Sequence, residues 1–322
     1  MTDRFPATDG DVCIIGSLNA DLVVRTQRHP KPGETVQGGP LRTTPGGKSA
    51  NQAVAAARLG ARVRMVGAVG EDPHGTLLLR SLDAQGVDTT RVRTLTTTAT
   101  GTAVIIVSAD GENSIVISPG ANGEVTAEQV TPELFDGVGT LTLTFEIPAP
   151  TVLAAARAAR AAGVTVVLNP SPFRLPEPEL LACTDLLVVN AHEMGQLIGD
   201  ETTDFGTVPA ADWDVEGHRL FRATGVADAV VTLGAGGAVL LRTREDRTRQ
   251  EWLSGYAVRA LDTTGAGDAV TGTLAAALAA GTDLPEATAL AMRVGAIATQ
   301  SEGAQPSYPS REDLESLAAP NR

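Results

Sequence analysis

The sequence predicts an α/β fold: a doubly wound, mostly parallel sheet with helices on both faces, plus a small β-sheet lid. Three observations predict it. Short apolar β-rich runs alternate with Ala-rich helical runs, glycines stop successive helices, and two stretches of short β-like pieces interrupt the alternation.

Val12–Gly16 is an apolar run ending in Gly, as a buried strand requires, and Ala50–Leu59 follows as an Ala-rich helix stopped by Gly60. Arg62–Val69 reads as a strand and His74–Gln85 as a helix ended by Gly86. Leu141–Phe145 is the next strand, and Thr151–Ala162 the next helix, ended by Gly163. Val164–Leu168, Asp185–Val189 and Ala229–Leu233 add further β-rich runs. Leu22–Thr43, rich in Pro and Gly, and Gly101–Ser118, with a turn at Asp110-Gly111, read as antiparallel strands that meet outside the main layer. A small sheet so placed closes over a site, so a lid is expected from about residues 19–45 and 99–119 of a single 322-residue domain. Ala210–Glu216, with Trp213, reads as a loop insertion, and Arg242–Arg249 as a solvated charged turn between strands.

Composition narrows the function. A chain with 43% hydrophobic residues buries a large core, and 25 basic against 38 acidic residues leave a charge of −13. With no run of Lys or Arg, a nucleic-acid or anionic membrane partner is not expected, and an anionic ligand must be met locally. Cys13 and Cys183 lack metal-binding spacing and read as buried thiols of a reducing compartment. Met1–Gly10 lacks an apolar leader core and no long apolar span occurs, so a cytoplasmic location is expected.

The chemistry is concentrated in Asp262-Thr263-Thr264-Gly265-Ala266-Gly267-Asp268. A glycine turn opening a helix leaves backbone N–H groups unpaired, and the helix dipole adds positive potential, which together suit phosphate. An acidic residue there is a poor phosphate ligand but is placed to take a proton from an attacking hydroxyl, so Asp268 reads as a base. The competing reading is an Asp that only caps the helix. Gly16-Ser17-Leu18-Asn19-Ala20-Asp21, after the first strand, and Gly46-Gly47-Lys48-Ser49-Ala50-Asn51, at a helix start, offer amide and carboxylate groups that suit a polyol, though each is also ordinary turn chemistry.

Other motifs fail on spacing. A phosphate-binding loop ending in Gly47-Lys48-Ser49 needs Gly where Arg42 stands, and a dinucleotide fingerprint starting at Gly265 needs a small residue where Val270 stands. The four histidines are scattered and no Gly-x-Ser-x-Gly elbow occurs, so zinc and serine-hydrolase chemistry lack support.

With Pro32-Gly33-Glu34-Thr35, Gly120-Ala121-Asn122, Glu146-Ile147-Pro148, Leu168-Asn169-Pro170, Asn190 with Glu193, Thr232-Leu233-Gly234 and Gly303-Ala304-Gln305-Pro306-Ser307 added in order, the chain resembles the ribokinase branch of the PfkB carbohydrate kinases along nearly its whole length. The resemblance implies ATP-dependent phosphorylation of the 5-hydroxyl of D-ribose, with Mg2+ on the nucleotide and K+ as activator. An exposed lid sheet with apolar strands such as Ala103–Val107 is a liability in a monomer, so a homodimer that pairs its lids is expected. The resemblance also implies sugar contacts from Asn19, Asp21, Gly47, Lys48, Asn51 and Glu146, with Asp268 as base and Gly265, Ala266 and Gly267 as anion hole. Asn190 and Glu193 would organise phosphate, magnesium and water, and Thr232, Leu233, Gly234, Ala235, Gly236 and Gly237 would lie beside the nucleotide. The cation would be held by Asp262 and Ser307 with carbonyls of Thr264, Ala298, Ser301 and Gly303. Another sugar kinase for deoxyribose or fructose, a nucleoside kinase, and an idle sugar-binding regulator remain as alternatives. Few aromatics, 3% of the chain, weigh against stacking a nucleoside base. Ala191 and His192 stand between Asn190 and Glu193 where relatives more often carry acidic or small polar residues, and Pro45 and Ser49 also depart from the usual pattern.

Overall fold

The computed structural model describes residues 6–208, 212–245 and 247–318. From the N-terminal side, β1 (Asp11–Ile15) enters the main sheet, β2 (Asn19–Arg25) and β3 (Arg42–Gly46) leave it, and α1 (Lys48–Arg58) leads back to β4 (Arg62–Gly70). After α2 (Pro73–Ala84) and β5 (Asp88–Leu95), β6 (Gly101–Val107) and β7 (Asn113–Ser118) leave the main layer again. Then come β8 (Thr140–Leu143), α3 (Ala149–Ala161), β9 (Thr165–Leu168), α4 (Pro178–Leu181), β10 (Leu186–Asn190), α5 (Ala191–Ile198), α6 (Trp213–Thr224) and β11 (Asp228–Thr232). The hairpin β12 (Gly237–Arg244) and β13 (Arg247–Ser254) precedes α7 (Ala266–Ala279), α8 (Leu284–Ala298) and α9 (Arg311–Ala318).

The main sheet runs β13-β12-β11-β10-β9-β8-β1-β4-β5, parallel from β11 to β5 and antiparallel at β12 and β13. Strand alternation divides the core between two faces. Cys13 and Ile15 pack with α3, α5 and α6, whereas Val12 and Ile14 pack with α1, α2 and α7. Cys13 is buried and its thiol is pushed up to about 12 by that burial, which outweighs the nearby Arg64 charge. No described helix is long and apolar enough to cross a membrane.

The second sheet runs β3-β2-β6-β7. β2/β3 and β6/β7 are antiparallel as expected, but the two hairpin-like halves join through a parallel β2/β6 pairing, Asn19 opposite Gly101 and Arg25 opposite Val107. Ala210 and Ala211 lie outside the described residues, as do residues 1–5, but Trp213 begins α6 and is completely buried against Phe205 in the core, so residues 213–216 open a packed helix and not a loop insertion. The charged Arg242–Arg249 stretch is mostly strand: Arg242 pairs with Arg249 and Arg244 with Arg247, leaving Glu245 in the turn and Asp246 outside the described residues. Its charges read as a turn because Arg244, Arg247 and Arg249, at alternate positions of the two paired strands, face solvent.

Candidate functional site

The turn before α7 has the geometry that an anion site needs. Gly265 caps the helix at φ 75, and a Cβ there would lie 2.4 Å from the Tyr308 hydroxyl and 2.5 Å from Ala304 Cβ. Tyr308 donates its hydroxyl to the Gly265 carbonyl at 3.0 Å and so ties the turn to the chain after α8. Ala266 N–H is donated to the Thr263 carbonyl at 3.2 Å, whereas the N–H groups of Gly267 and Asp268 find no acceptor among the described residues. Open space lies above Gly267, where an added Cβ would meet nothing within 4 Å.

Asp268 occupies the first turn of α7 and is buried, yet it does not cap the helix. Its carboxylate accepts from Asn51 Nδ2 at 3.0 Å and from Gln52 Nε2 at 3.5 Å, both on α1. Burial raises its pKa above the ordinary carboxylate value, against the opposing pull of the Lys48 charge and the two amide donors. A carboxylate held by donors at one side and desolvated overall is a competent proton acceptor.

Beside this turn lies an open cleft with about 470 Å³ of empty space, walled by Lys48, Asn169, Asn190, Glu193, Thr232, Gly265, Gly267 and Asp268 among others. β10 and β11 end there, at the carboxyl edge of the parallel strands, where open α/β sheets bind ligands. Asn190 and Glu193 form a capping box at the start of α5: Glu193 N–H donates to Asn190 Oδ1 at 2.8 Å, and Asn190 N–H to Glu193 Oε2 at 2.9 Å. That leaves the Asn190 amide nitrogen and the second Glu193 oxygen without partners among the described residues. Leu233, Gly234, Ala235, Gly236 and Gly237 do not line the cleft; Gly234–Gly236 form an exposed turn just beyond Thr232.

The expected polyol contacts gather on the other side of Asp268 and Lys48. Glu146 Oε2 accepts from Ser17 Oγ and from the Lys48 N–H, the latter at 2.9 Å, and Ala50 N–H donates to the Ser17 carbonyl. The N-terminus of α1 is thus satisfied by protein, in contrast to that of α7, which explains why Gly46-Gly47-Lys48-Ser49 is no phosphate cradle. Asn19 Oδ1 accepts from Asn122 Nδ2 at 2.7 Å. Gly47 adopts φ 92, and a Cβ there would lie 2.7 Å from the Asn19 nitrogen, so only glycine lets α1 start this close to β2. Ser49 is fully buried with its hydroxyl 3.0 Å from Thr144 Oγ1, so its departure from the usual residue is accommodated behind the pocket wall.

Asp21, Glu146 and Asp268 repel one another here, and the Lys48 ammonium feels Asp268, Glu146 and Glu193. Burial, followed by repulsion from Glu146 and Asp268, pushes Asp21 up to about 7. Burial raises Glu146 as well, despite its donors Ser17 and Lys48. Burial alone would lower Lys48, but the combined charges of Asp268, Glu146 and Glu193 carry it above its ordinary value, so it stays a cation.

A separate cluster lies behind the anion turn. The Asp262 carboxylate accepts from Thr264 N–H at 2.9 Å, Thr264 Oγ1 at 2.6 Å and Gly303 N–H at 2.8 Å, and these donors outweigh burial and hold its pKa low. Ser307 donates its hydroxyl to the Ala304 carbonyl. The carbonyls of Thr264, Ala298, Ser301 and Gly303 have no donor among the described residues. Sequence reasoning named the expected site residues but missed those that orient them: Gln52, Asn122, Asn169, Gln305 and Tyr308. All five stand inside the quoted motifs or beside them, and only their distant partners would have marked them.

Residues 9–311 match the family described as pfkB family carbohydrate kinase. The chain is 37% identical over 311 residues to the ribokinase of Bacillus subtilis (strain 168), covering 95% of this chain and 99% of that protein. It is 33% identical over 307 residues to the deoxyribokinase of Salmonella typhi, covering 94% and 97%. The structure of Arabidopsis thaliana ribokinase complexed with ribose and ATP superposes with a TM-score of 0.84 at 32% identity, covering 96% of this chain and 99% of that one. With its cleft at the sheet's carboxyl edge, its open anion turn and a family match across most of its length, the chain belongs to the pfkB family of carbohydrate kinases.

Proposed function

We propose that the chain transfers the γ-phosphate of ATP to the 5-hydroxyl of D-ribose, giving D-ribose 5-phosphate. The observation that carries this reading is the Asp268 carboxylate held by Asn51 and Gln52 beside the unpaired N–H of Gly267. Asp268 takes the proton of the attacking hydroxyl, and the Gly265–Gly267 turn offers its free amide to the charge that grows on the transferring phosphoryl group. Asn19, Asp21, Gly47, Lys48, Asn51 and Glu146 bind the sugar, and the β3-β2-β6-β7 sheet closes over it and excludes water. Few soluble-sugar ligands match a pocket of two amides, three carboxylates and one ammonium as well as a pentose with several hydroxyls. Deoxyribose is the second reading, supported by the 33% identity to a deoxyribokinase.

Nucleotide lies across Asn190, Glu193 and Thr232 toward the turn Leu233–Gly237. The unpartnered atoms of Asn190 and Glu193 would hold the water shell of a magnesium ion carried on the nucleotide's phosphates, which would neutralise part of their charge. Four free carbonyls and one carboxylate at Asp262, Thr264, Ala298, Ser301 and Gly303, with Ser307 beside them, suit a large, weakly hydrated cation such as potassium, whose charge would stiffen the adjoining anion turn. We further propose a cytoplasmic homodimer joined through the lid, each chain acting as one kinase domain.

A coupled assay of ADP release tests the substrate, with ribose, deoxyribose, fructose and adenosine as acceptors, in potassium and in sodium. The highest kcat/KM is expected for ribose, with lower rates in sodium. A preference for another acceptor would move the substrate, and equal rates in both salts would remove the cation.

A further inference from the structure

The reading of Asp268 as base leaves one feature unexplained: a line of buried side-chain amides that ends on it from behind. Asn51 Nδ2 donates to Asp268 Oδ2, Gln305 Nε2 donates to Asn51 Oδ1 at 3.1 Å, and Ser81 Oγ donates to Gln305 Oε1 at 3.3 Å. The line crosses α2, the turn after α8, α1 and α7, segments that nothing in the local sequence links. Asn51, Gln305 and Asp268 are each at least nine-tenths buried. Gln305 does not wall the reaction cleft; it lines a second, mainly apolar hollow with Pro45, Val54 and Arg58.

We propose that Gln305 is a positioning residue for the phosphoryl transfer, fixing which end of the Asn51 amide faces the catalytic carboxylate. An asparagine amide carries a donor on one end and an acceptor on the other, and rotation by half a turn exchanges them. Because Gln305 offers a donor to Asn51 Oδ1, Asn51 must present its NH2 to Asp268. The Ser81 hydroxyl, which can donate or accept, completes the line by donating to Gln305 Oε1 while Nε2 faces Asn51. Every donor along the line therefore points toward Asp268. That polarity favours the ionised carboxylate and opposes the effect of burial, which by itself would keep the base protonated at the pH where it must accept a proton. Gln305 also stands two residues from Gly303, whose N–H holds Asp262, so one loop anchors both the base and the chain entering the anion turn.

The inference rests on Asp268 being the base, and the experiment separates the two claims. Steady-state rates of the full chain with ATP and D-ribose are measured across pH for wild type, Asp268→Asn, Gln305→Glu and Ser81→Ala. Asp268→Asn is expected to lose about 10²-fold or more in kcat; if it does not, the base assignment itself fails. In Gln305→Glu the carboxylate offers only acceptors, so the Asn51 amide turns its NH2 toward residue 305 and its oxygen toward Asp268. The acid limb of kcat/KM should then move to higher pH by half a unit or more, with kcat reduced roughly ten-fold at neutral pH and partly regained in alkali. Ser81→Ala should move the limb in the same direction by less, and it supplies the readout if Gln305→Glu does not fold. A purely structural role would lower the melting temperature and leave the limb in place in Ser81→Ala, which adds no charge, so a shift there separates the amide line from the repulsion that the new carboxylate of Gln305→Glu exerts on Asp268. An unmoved limb in folded Gln305→Glu, or in Ser81→Ala if the first variant does not fold, overturns the proposal while leaving Asp268 as base.

Discussion

At the scale of single residues, the crowding of Asp21 with Glu146 and Asp268 gives the pocket a pH dependence of definite sign. Asp21 stands at about 7 against an ordinary 3.8, so the folded chain holds that proton more tightly than the unfolded chain. Its contribution to stability is complete below about pH 4 and is lost as pH rises toward 7; Glu146 and Asp268, also raised, act in the same direction. At about 1.4 kcal/mol per unit the gap for Asp21 has an upper bound on the order of 4 kcal/mol. A sugar hydroxyl that donates to Asp21 favours the ionised form, so binding must displace the proton. Ribose should therefore raise the melting temperature more at pH 8 than at pH 6, and its KM should climb as pH falls below 7. Thermal melts with and without ribose at the two pH values check this, and equal shifts would remove Asp21 from the sugar contacts. The sequence displayed these acids one by one, but not their mutual repulsion. Asn51 and Asp268 lie 217 positions apart and Asn51 and Gln305 lie 254 apart, so their hydrogen bonds exist only after the sheet has brought α1, α7 and the last loop together.

At the scale of elements, α1 and α7 begin with similar glycine turns and end up with opposite chemistry. The first amides of α1 are closed by Ser17 and Glu146, whereas those of Gly267 and Asp268 stay open. The difference comes from what each turn faces: β1 and the loop after β8 in one case, the cleft in the other. Local sequence announced both turns because glycine at positive φ is a local requirement, but it could not announce which amides would be left unpaired. Gly265→Ala tests the open turn. At φ 75, with Tyr308 and Ala304 already in contact range of the new methyl, the turn has to shift. Stability should fall by about 1–3 kcal/mol in urea unfolding. Turnover should fall more than the KM for ribose rises, because the proposed mechanism assigns the displaced Gly267 amide to the phosphoryl group and not to the sugar. Wild-type kcat in this variant would mean that the turn does not carry the transferring phosphate.

At the scale of the whole molecule, the doubly wound sheet was legible because strands buried on both faces must be apolar runs, and helices that cover them must be Ala-rich and stopped by glycine. The lid strands were legible too, but not their directions: alternation along Ala103–Val107 says that a strand forms and is silent on its neighbour, and β6 lies parallel to β2. The lid ends in β7, whose six residues are all exposed, with Ile115 at 51%, Val116 at 69% and Ile117 at 41%, and Val104 opposite Val116 at 42%. A free, apolar edge strand invites pairing with another chain, and a monomer would ordinarily blunt it with charge, a bulge or proline. None of these interrupts Ser114–Ser118, so a second copy is expected to cover the lid with a matching surface. Light scattering of the wild-type protein at micromolar concentration should give twice the chain mass. Val116→Lys places a charge at the centre of the exposed strand, away from the cleft, and should shift the population toward monomer as concentration falls. With the lid closing over sugar as proposed, the same variant should raise the KM for ribose more than it lowers kcat. A wild-type protein that scatters as a monomer, or a Val116→Lys protein that stays dimeric across a hundred-fold dilution, would place the interface elsewhere and leave the lid's apolar edge to close on the chain's own substrate alone.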